Sequence, residues 1–96
     1  MSASALSGPP DAGLQIDTTG VLGKQAGLVV GDVVVAVDGT RIRDWNQYIA
    51  MKYQSWKPEM RFTVWRDGRY LDISTNLRHR WVVNDMRPYP KPADTD

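Results

Sequence analysis

Gly23-Lys24-Gln25-Ala26-Gly27-Leu28-Val29-Val30-Gly31-Asp32-Val33-Val34-Val35-Ala36-Val37-Asp38-Gly39 is the stretch that decides the reading of this chain. Lys24 to Ala26 have room for one helical turn. Gly27 follows where a left-handed residue would end that turn, because glycine carries no Cβ to clash at positive φ. Leu28 then folds back as the apolar partner of the stop. Gly31-Asp32 opens a turn in which the carboxylate accepts from nearby backbone N–H groups. Residues 33–37 are an almost unbroken β-branched run, the pattern of a strand buried on both faces. Asp38-Gly39 closes the strand with the chemistry of a tight hairpin turn.

Outside this stretch, composition sets bounds. Ninety-six residues make one domain, which buries only about 60–65% of its unfolded surface and has little core to spare. Four Trp, four Tyr and one Phe supply bulky core material. Twelve basic side chains face eleven acidic ones, and no clustered basic face marks a nucleic-acid partner. Arg78-His79-Arg80 reads as a solvated strand end. With no Cys there is no disulfide, thiol chemistry or Cys-type zinc site. No apolar run is long enough to span a membrane, so direct membrane insertion is not expected. No signal peptide is visible, and the first residues look like the cut start of a domain from a larger protein.

The flanking segments complete the order of elements. Residues 1–12, with Gly8-Pro9-Pro10, read as a flexible N-terminal arm. A domain over 13–87 follows, and 88–96, with Pro88, Pro90 and Pro92, read as a Pro-rich disordered tail. Within the domain, 13–18 is a strand, 23–28 a short helix and 32–37 a strand. The one long helix is placed at 44–56, capped by Asp44 and stopped by Pro58. Trp45, Tyr48, Ile49, Tyr53 and Trp56 form its apolar stripe, with Trp45, Ile49 and Trp56 pointing inward. Residues 61–65 and 69–74 pair as a hairpin about Asp67-Gly68, and 80–86 form one more strand.

The sequence from Gly23 to Gly39 resembles the PDZ domains of bacterial proteases, whose usual signature is A-x-x-A-G-L-x-x-G-D-x-I-x-x-V-x-G. Trp65-Arg66-Asp67-Gly68 supports the resemblance, which covers about residues 13–86. Within the family the chain is most like the PDZ domains of site-2 metalloproteases and of the high-temperature-requirement serine proteases. The resemblance implies a mainly β fold with two helices. The expected architecture is a partly open β-barrel in the bacterial, permuted strand order, capped by one long and one short helix. It also implies a peptide- or protein-binding module that regulates, or selects substrates for, a larger bacterial envelope protease. Such a module acts by strand addition, as a monomer, with a periplasmic or extracytoplasmic location. The rival reading is an interaction or scaffolding domain of the same fold without a working carboxylate groove.

Catalytic chemistry has little support. His79 is the one histidine and has no nucleophile marked beside it, while Asp32, Asp38, Asp44 and Asp67 are explained by turns and a cap. No enzymatic activity, metal or cofactor is expected. The Trp side chains read as core rather than as a ligand cage. Family members hold a peptide's terminal carboxylate in a Φ-Gly-Φ loop; the nearest match is Gly13-Leu14-Gln15-Ile16, with Gln15 in place of Gly. These residues read better as a strand, which leaves the carboxylate loop cut down into 5–12 or missing upstream. The expected peptide groove runs between Leu14, Gln15 and Ile16 and the helix flank carrying Asn46, Ala50 and Tyr53, and its ligand is an extended apolar segment.

Overall fold

The computed structural model describes residues 2–80 and 82–90. Six strands and two α-helices follow one another as β1 (Gly13–Thr19), α1 (Val21–Ala26), β2 (Val33–Val37), β3 (Thr40–Arg41), α2 (Trp45–Tyr53), β4 (Met60–Arg66), β5 (Arg69–Thr75) and β6 (Val83–Tyr89). All pairings are antiparallel. The strands lie in the order β5-β4-β2-β1-β6, and β3 pairs with β2 off that path. The two ends, β5 and β6, do not meet, so the sheet is open. The expected barrel is thus an open sheet, while the mainly β fold with two helices stands.

The stop after α1 forms as expected. Gly27 has φ +99°. Its N–H donates to the Lys24 carbonyl at 3.1 Å, and the Leu28 N–H reaches the Gly23 carbonyl at 3.0 Å. This is the paired closure of a Schellman stop, with Leu28 fully buried behind it. A Cβ at Gly27 would have space, its nearest neighbour being Ile73 Cγ2 at 3.9 Å. Backbone strain alone therefore sets the cost of Gly27→Val, expected at about 1–3 kcal/mol. A urea midpoint equal to the parent's would refute it.

Asp38-Gly39 and Asp67-Gly68 both hold positive φ at both residues, at 52° and 82° and at 51° and 81°. These are the turns whose twist suits two-residue hairpins. The first makes β3, a short strand absent from the sequence reading. A bulge between Val34 and Ala36 breaks the alternation of β2, so neighbours on both faces are buried. The carbonyl of Val35 accepts from Ile42 N–H at 2.9 Å and from Arg41 Nη1 at 2.8 Å. The main core gathers Leu14, Ile16, Leu28, Val34, Val37, Ile42, Tyr48, Met60, Phe62, Val64 and Val82.

Four further expectations need correction. The long helix ends at Tyr53 rather than 56, and its buried side carries Tyr48 and Lys52, each 1% exposed. Trp45 is 45% exposed and Trp56 82%, so neither is core, whatever the spacing suggests. The wheel is turned because the Lys52 ammonium finds the carbonyls of Arg78 and Arg80, which lets its apolar stem be buried. Arg78 is not a solvated strand end but a buried group, 3% exposed. The last strand, expected over 80–86, spans Val83–Tyr89. The tail over 91–96 lies outside the described residues.

Candidate functional site

Leu14 and Ile16 are 2% and 1% exposed and point into the core. Strand β1 is paired on both sides, with β2 through Leu14 and Gln15 and with β6 along its length. Ile16 N–H donates to Asp32 O at 2.8 Å, and its carbonyl accepts from Gly31 N–H at 2.9 Å. Gln15, half-buried, spends its amide on the Gly31 carbonyl at 3.3 Å. No free edge is left on β1 for a ligand strand, and Gly13 to Ile16 is no carboxylate loop. Leu14, Gln15 and Ile16 thus lie on a strand paired on both sides, with β6 as the neighbour that the sequence alone did not place there.

The helix half of the expectation fares differently. Asp44 accepts from Gln47 N–H at 2.9 Å and starts α2 as its cap. Asn46, Ala50 and Tyr53 then fall on one flank of the helix, and all three are exposed. Below them Tyr48 lies against Phe62, with ring centroids 6.4 Å apart. Its hydroxyl is buried without a hydrogen-bond partner among the described residues, and burial pushes its pKa up. Removing that hydroxyl costs no bond, so Tyr48→Phe is expected to leave stability unchanged or raise it by up to about 1 kcal/mol. A loss above that size in chemical denaturation would show a partner for the hydroxyl.

Among the described residues the outer edge of β6 is unpaired. The backbone groups of Ile16 face β2, so by alternation those of Gln15 face β6, opposite Arg87. Met86 and Pro88, on either side of Arg87, therefore turn their backbone groups outward. Pro88 has no N–H to offer, which closes the edge at that end and keeps it from pairing without limit. The usable edge is the stretch before Pro88. Lys52 Nζ donates to the Arg80 carbonyl at 2.6 Å and also to Arg78 O. The end of α2, with Tyr53 beside it, is thereby tied to the backbone just before β6.

Arg78 and Arg66 are the structural residues that the sequence reading missed. Arg78 bonds to the carbonyls of Met51, Lys52, Lys57 and Glu59 and to Asp38. Arg66 grips the fully buried Asp32 carboxylate with two bonds of 2.7 Å and the Gly27 carbonyl at 2.8 Å. Asp32 also accepts from Val29 N–H at 3.1 Å, as expected of the turn. The pairing of Asp32 with Arg66 had one signal, the Arg immediately before Asp67-Gly68. His79 bonds through Nε2 to the Trp56 carbonyl at 2.8 Å.

A shallow cleft of about 310 Å³ lies at the open end of the β4–β5 hairpin, between Asp38, Glu59, Arg61, Ser74 and Asn76. It contains none of the expected peptide-binding residues. Among the described residues no three His, Asp or Glu side chains gather to hold a metal ion, and no helix is long and apolar enough to cross a membrane.

The profile of the PDZ domain family matches residues 19–66, half of the chain, from the end of β1 through α2 to the end of β4. The chain belongs to the PDZ family. PDZ domains are protein-interaction modules that bind peptide or protein segments and are in general non-catalytic. One similar solved structure is the PDZ domain of EpsC from Vibrio cholerae, residues 204-305. It is 34% identical over 57% of this chain and 53% of that one, with a TM-score of 0.45, so the match spans about half of that structure. No curated protein matches the chain.

Proposed function

We propose that this PDZ domain binds an extended peptide segment by strand addition along the outer edge of β6, with the α2 flank of Asn46, Ala50 and Tyr53 as the opposite wall. What supports this reading is the outer edge of β6, unpaired among the described residues, together with the exposed flank of α2 and the Lys52 bond that ties the end of that helix to the backbone just before β6. Backbone pairing would supply affinity, and the mildly polar flank would supply shallow side-chain selectivity. In a larger bacterial envelope protein, such a domain would regulate a protease or select its substrates.

The absence of a Φ-Gly-Φ match outside paired strands favours a second form of the reading, an interaction domain that ignores the ligand's C-terminus. Peptide titrations followed by amide shifts separate the forms. Shifts are expected on Asp85, Met86, Asn46, Ala50 and Tyr53, with affinities on the order of micromolar or weaker because a short peptide loses much freedom on docking. Amidating the ligand's C-terminus should change affinity by less than about fivefold, roughly 1 kcal/mol. A larger loss would establish carboxylate capture. Undiminished binding by a folded Tyr53→Asp variant would place the groove elsewhere.

A further inference from the structure

Val33, Val35, Ala36 and Thr63 are each at most 2% exposed, yet none belongs to the main core. Register explains where they stand. Val33 lies opposite Trp65 and Ala36 opposite Thr63, while Trp65 pairs with Tyr70 and Thr63 with Asp72. Directly opposed residues of antiparallel strands share a face. These side chains therefore line the side of the sheet turned away from the core, and the N-terminal arm is fastened across it. Ala3 N–H donates to Asp72 Oδ2 at 3.0 Å. The Tyr70 hydroxyl donates to the Gly8 carbonyl at 2.9 Å. Arg41 and Arg43 converge on Asp11 Oδ1 at 2.9 and 2.6 Å. What the sequence presents as a loose arm is thus held at three places.

The seat has a definite chemistry. A tyrosine, its ring 4.8 Å from that of Trp65, holds the carbonyl immediately before Pro9-Pro10. Two arginines hold the acid immediately after. Aromatic residues with a polar tip are the usual partners of Pro-rich segments, and paired arginines suit a carboxylate. The occupant itself is slight. Leu6 is the one large apolar side chain of residues 2–12, and most of the anchoring bonds involve exposed groups. Segments held in this way open at low cost.

We propose that this outward face, with Tyr70, Trp65, Arg41 and Arg43 as its contacts, is a second recognition site for extended Gly-Pro-Pro-acidic segments, occupied in cis by the arm. A partner carrying such a segment would bind by displacing residues 8–11. The site uses other residues than the β6 groove, and either can fail without the other.

The test uses the full chain, labelled for amide NMR, and a synthetic peptide of residues 2–12. In the wild type the arm amides should be ordered, and Tyr70→Phe should shift Gly8 and Asp11. Asp11→Ala removes the cis carboxylate from an exposed position. The peptide should bind this variant at least about tenfold more tightly than the wild type, where the tethered arm competes at an effective concentration of order millimolar. Replacing Pro9, Pro10 and Asp11 of the peptide by Ala should abolish the gain. Freely tumbling arm amides in the wild type would overturn the proposal. So would equal or absent binding to the two chains, or equal binding of the substituted peptide.

Discussion

Arg78→Ala is expected to cost about 3–5 kcal/mol, the size seen when one partner of a buried ion pair is removed. The Arg78 guanidinium is nearly sealed from water and spends its five donors inside the protein. Nε reaches Lys57 O at 2.8 Å, and Nη1 reaches Met51 O at 3.0 Å and Lys52 O at 3.4 Å. Nη2 is shared between Glu59 O and Asp38 Oδ2. One side chain thus closes the C-terminal carbonyls of α2, where a cation also suits the helix dipole. It fixes the loop before β4 and joins both to the β2–β3 turn. Truncation strands several carbonyls and takes the charged partner from Asp38, whose other oxygen keeps only the Arg61 N–H at 2.9 Å. For a domain of this length the melting temperature should fall by about 15–30 °C. Arg78→Lys should recover little, since an ammonium cannot occupy five acceptors in fork geometry. A loss below about 1 kcal/mol in either variant, by urea unfolding, would contradict this account.

Gly23→Ala is the second large effect, and here two physical arguments disagree in sign. Gly23 lies inside α1, where helix propensity alone favours Ala by about 1 kcal/mol. The PDZ signature also carries Ala at this position. Yet a Cβ on Gly23 would stand 2.1 Å from the Val82 carbonyl oxygen and 3.2 Å from Thr19 Cβ. The first neighbour is backbone and cannot rotate aside, so α1 and the chain entering β6 would have to separate. We expect a net loss of about 2–4 kcal/mol, at the upper end of overpacking costs. A Gly23→Ala protein as stable as the parent, or more stable, would show that the two elements part easily.

Gly27→Val and Gly23→Ala test different kinds of knowledge. Gly27 and its consequence were legible in the sequence, because a single helical turn followed by Gly-Leu has few other uses. Gly23 was not, because its neighbour is Val82, far along the chain. The same division runs through the candidate site. Asn46, Ala50 and Tyr53 share an exposed flank by helical spacing alone, and the structure keeps them there. Leu14 and Ile16 alternate as a half-buried strand should, but their exposure depends on what pairs with β1. Once β6 lies beside it, the free edge passes to β6. Trp45 misleads for a related reason, while Trp56 lies past the end of α2. Hydrophobicity ranks them as core, whereas the helix is oriented by a lysine whose acceptors sit in a loop contributed later in the chain.

Local chemistry in the sequence was enough for most of the elements, β3 excepted, and for the family. Two Asp-Gly turns, a glycine stop, an Asp cap and a β-branched run act over a few residues, where backbone sterics and short-range hydrogen bonds settle the outcome. The seventeen residues from Gly23 to Gly39 carry most of that signal. Pairing order, the bulge in β2, the rotation of α2 and the seat of the arm follow instead from contacts between distant residues. Arg66 meets Asp32, Arg78 meets Asp38, and Tyr70 meets Gly8 only after the chain has closed on itself. Such contacts leave no periodic trace, because each is a single polar match whose strength depends on the burial that folding creates.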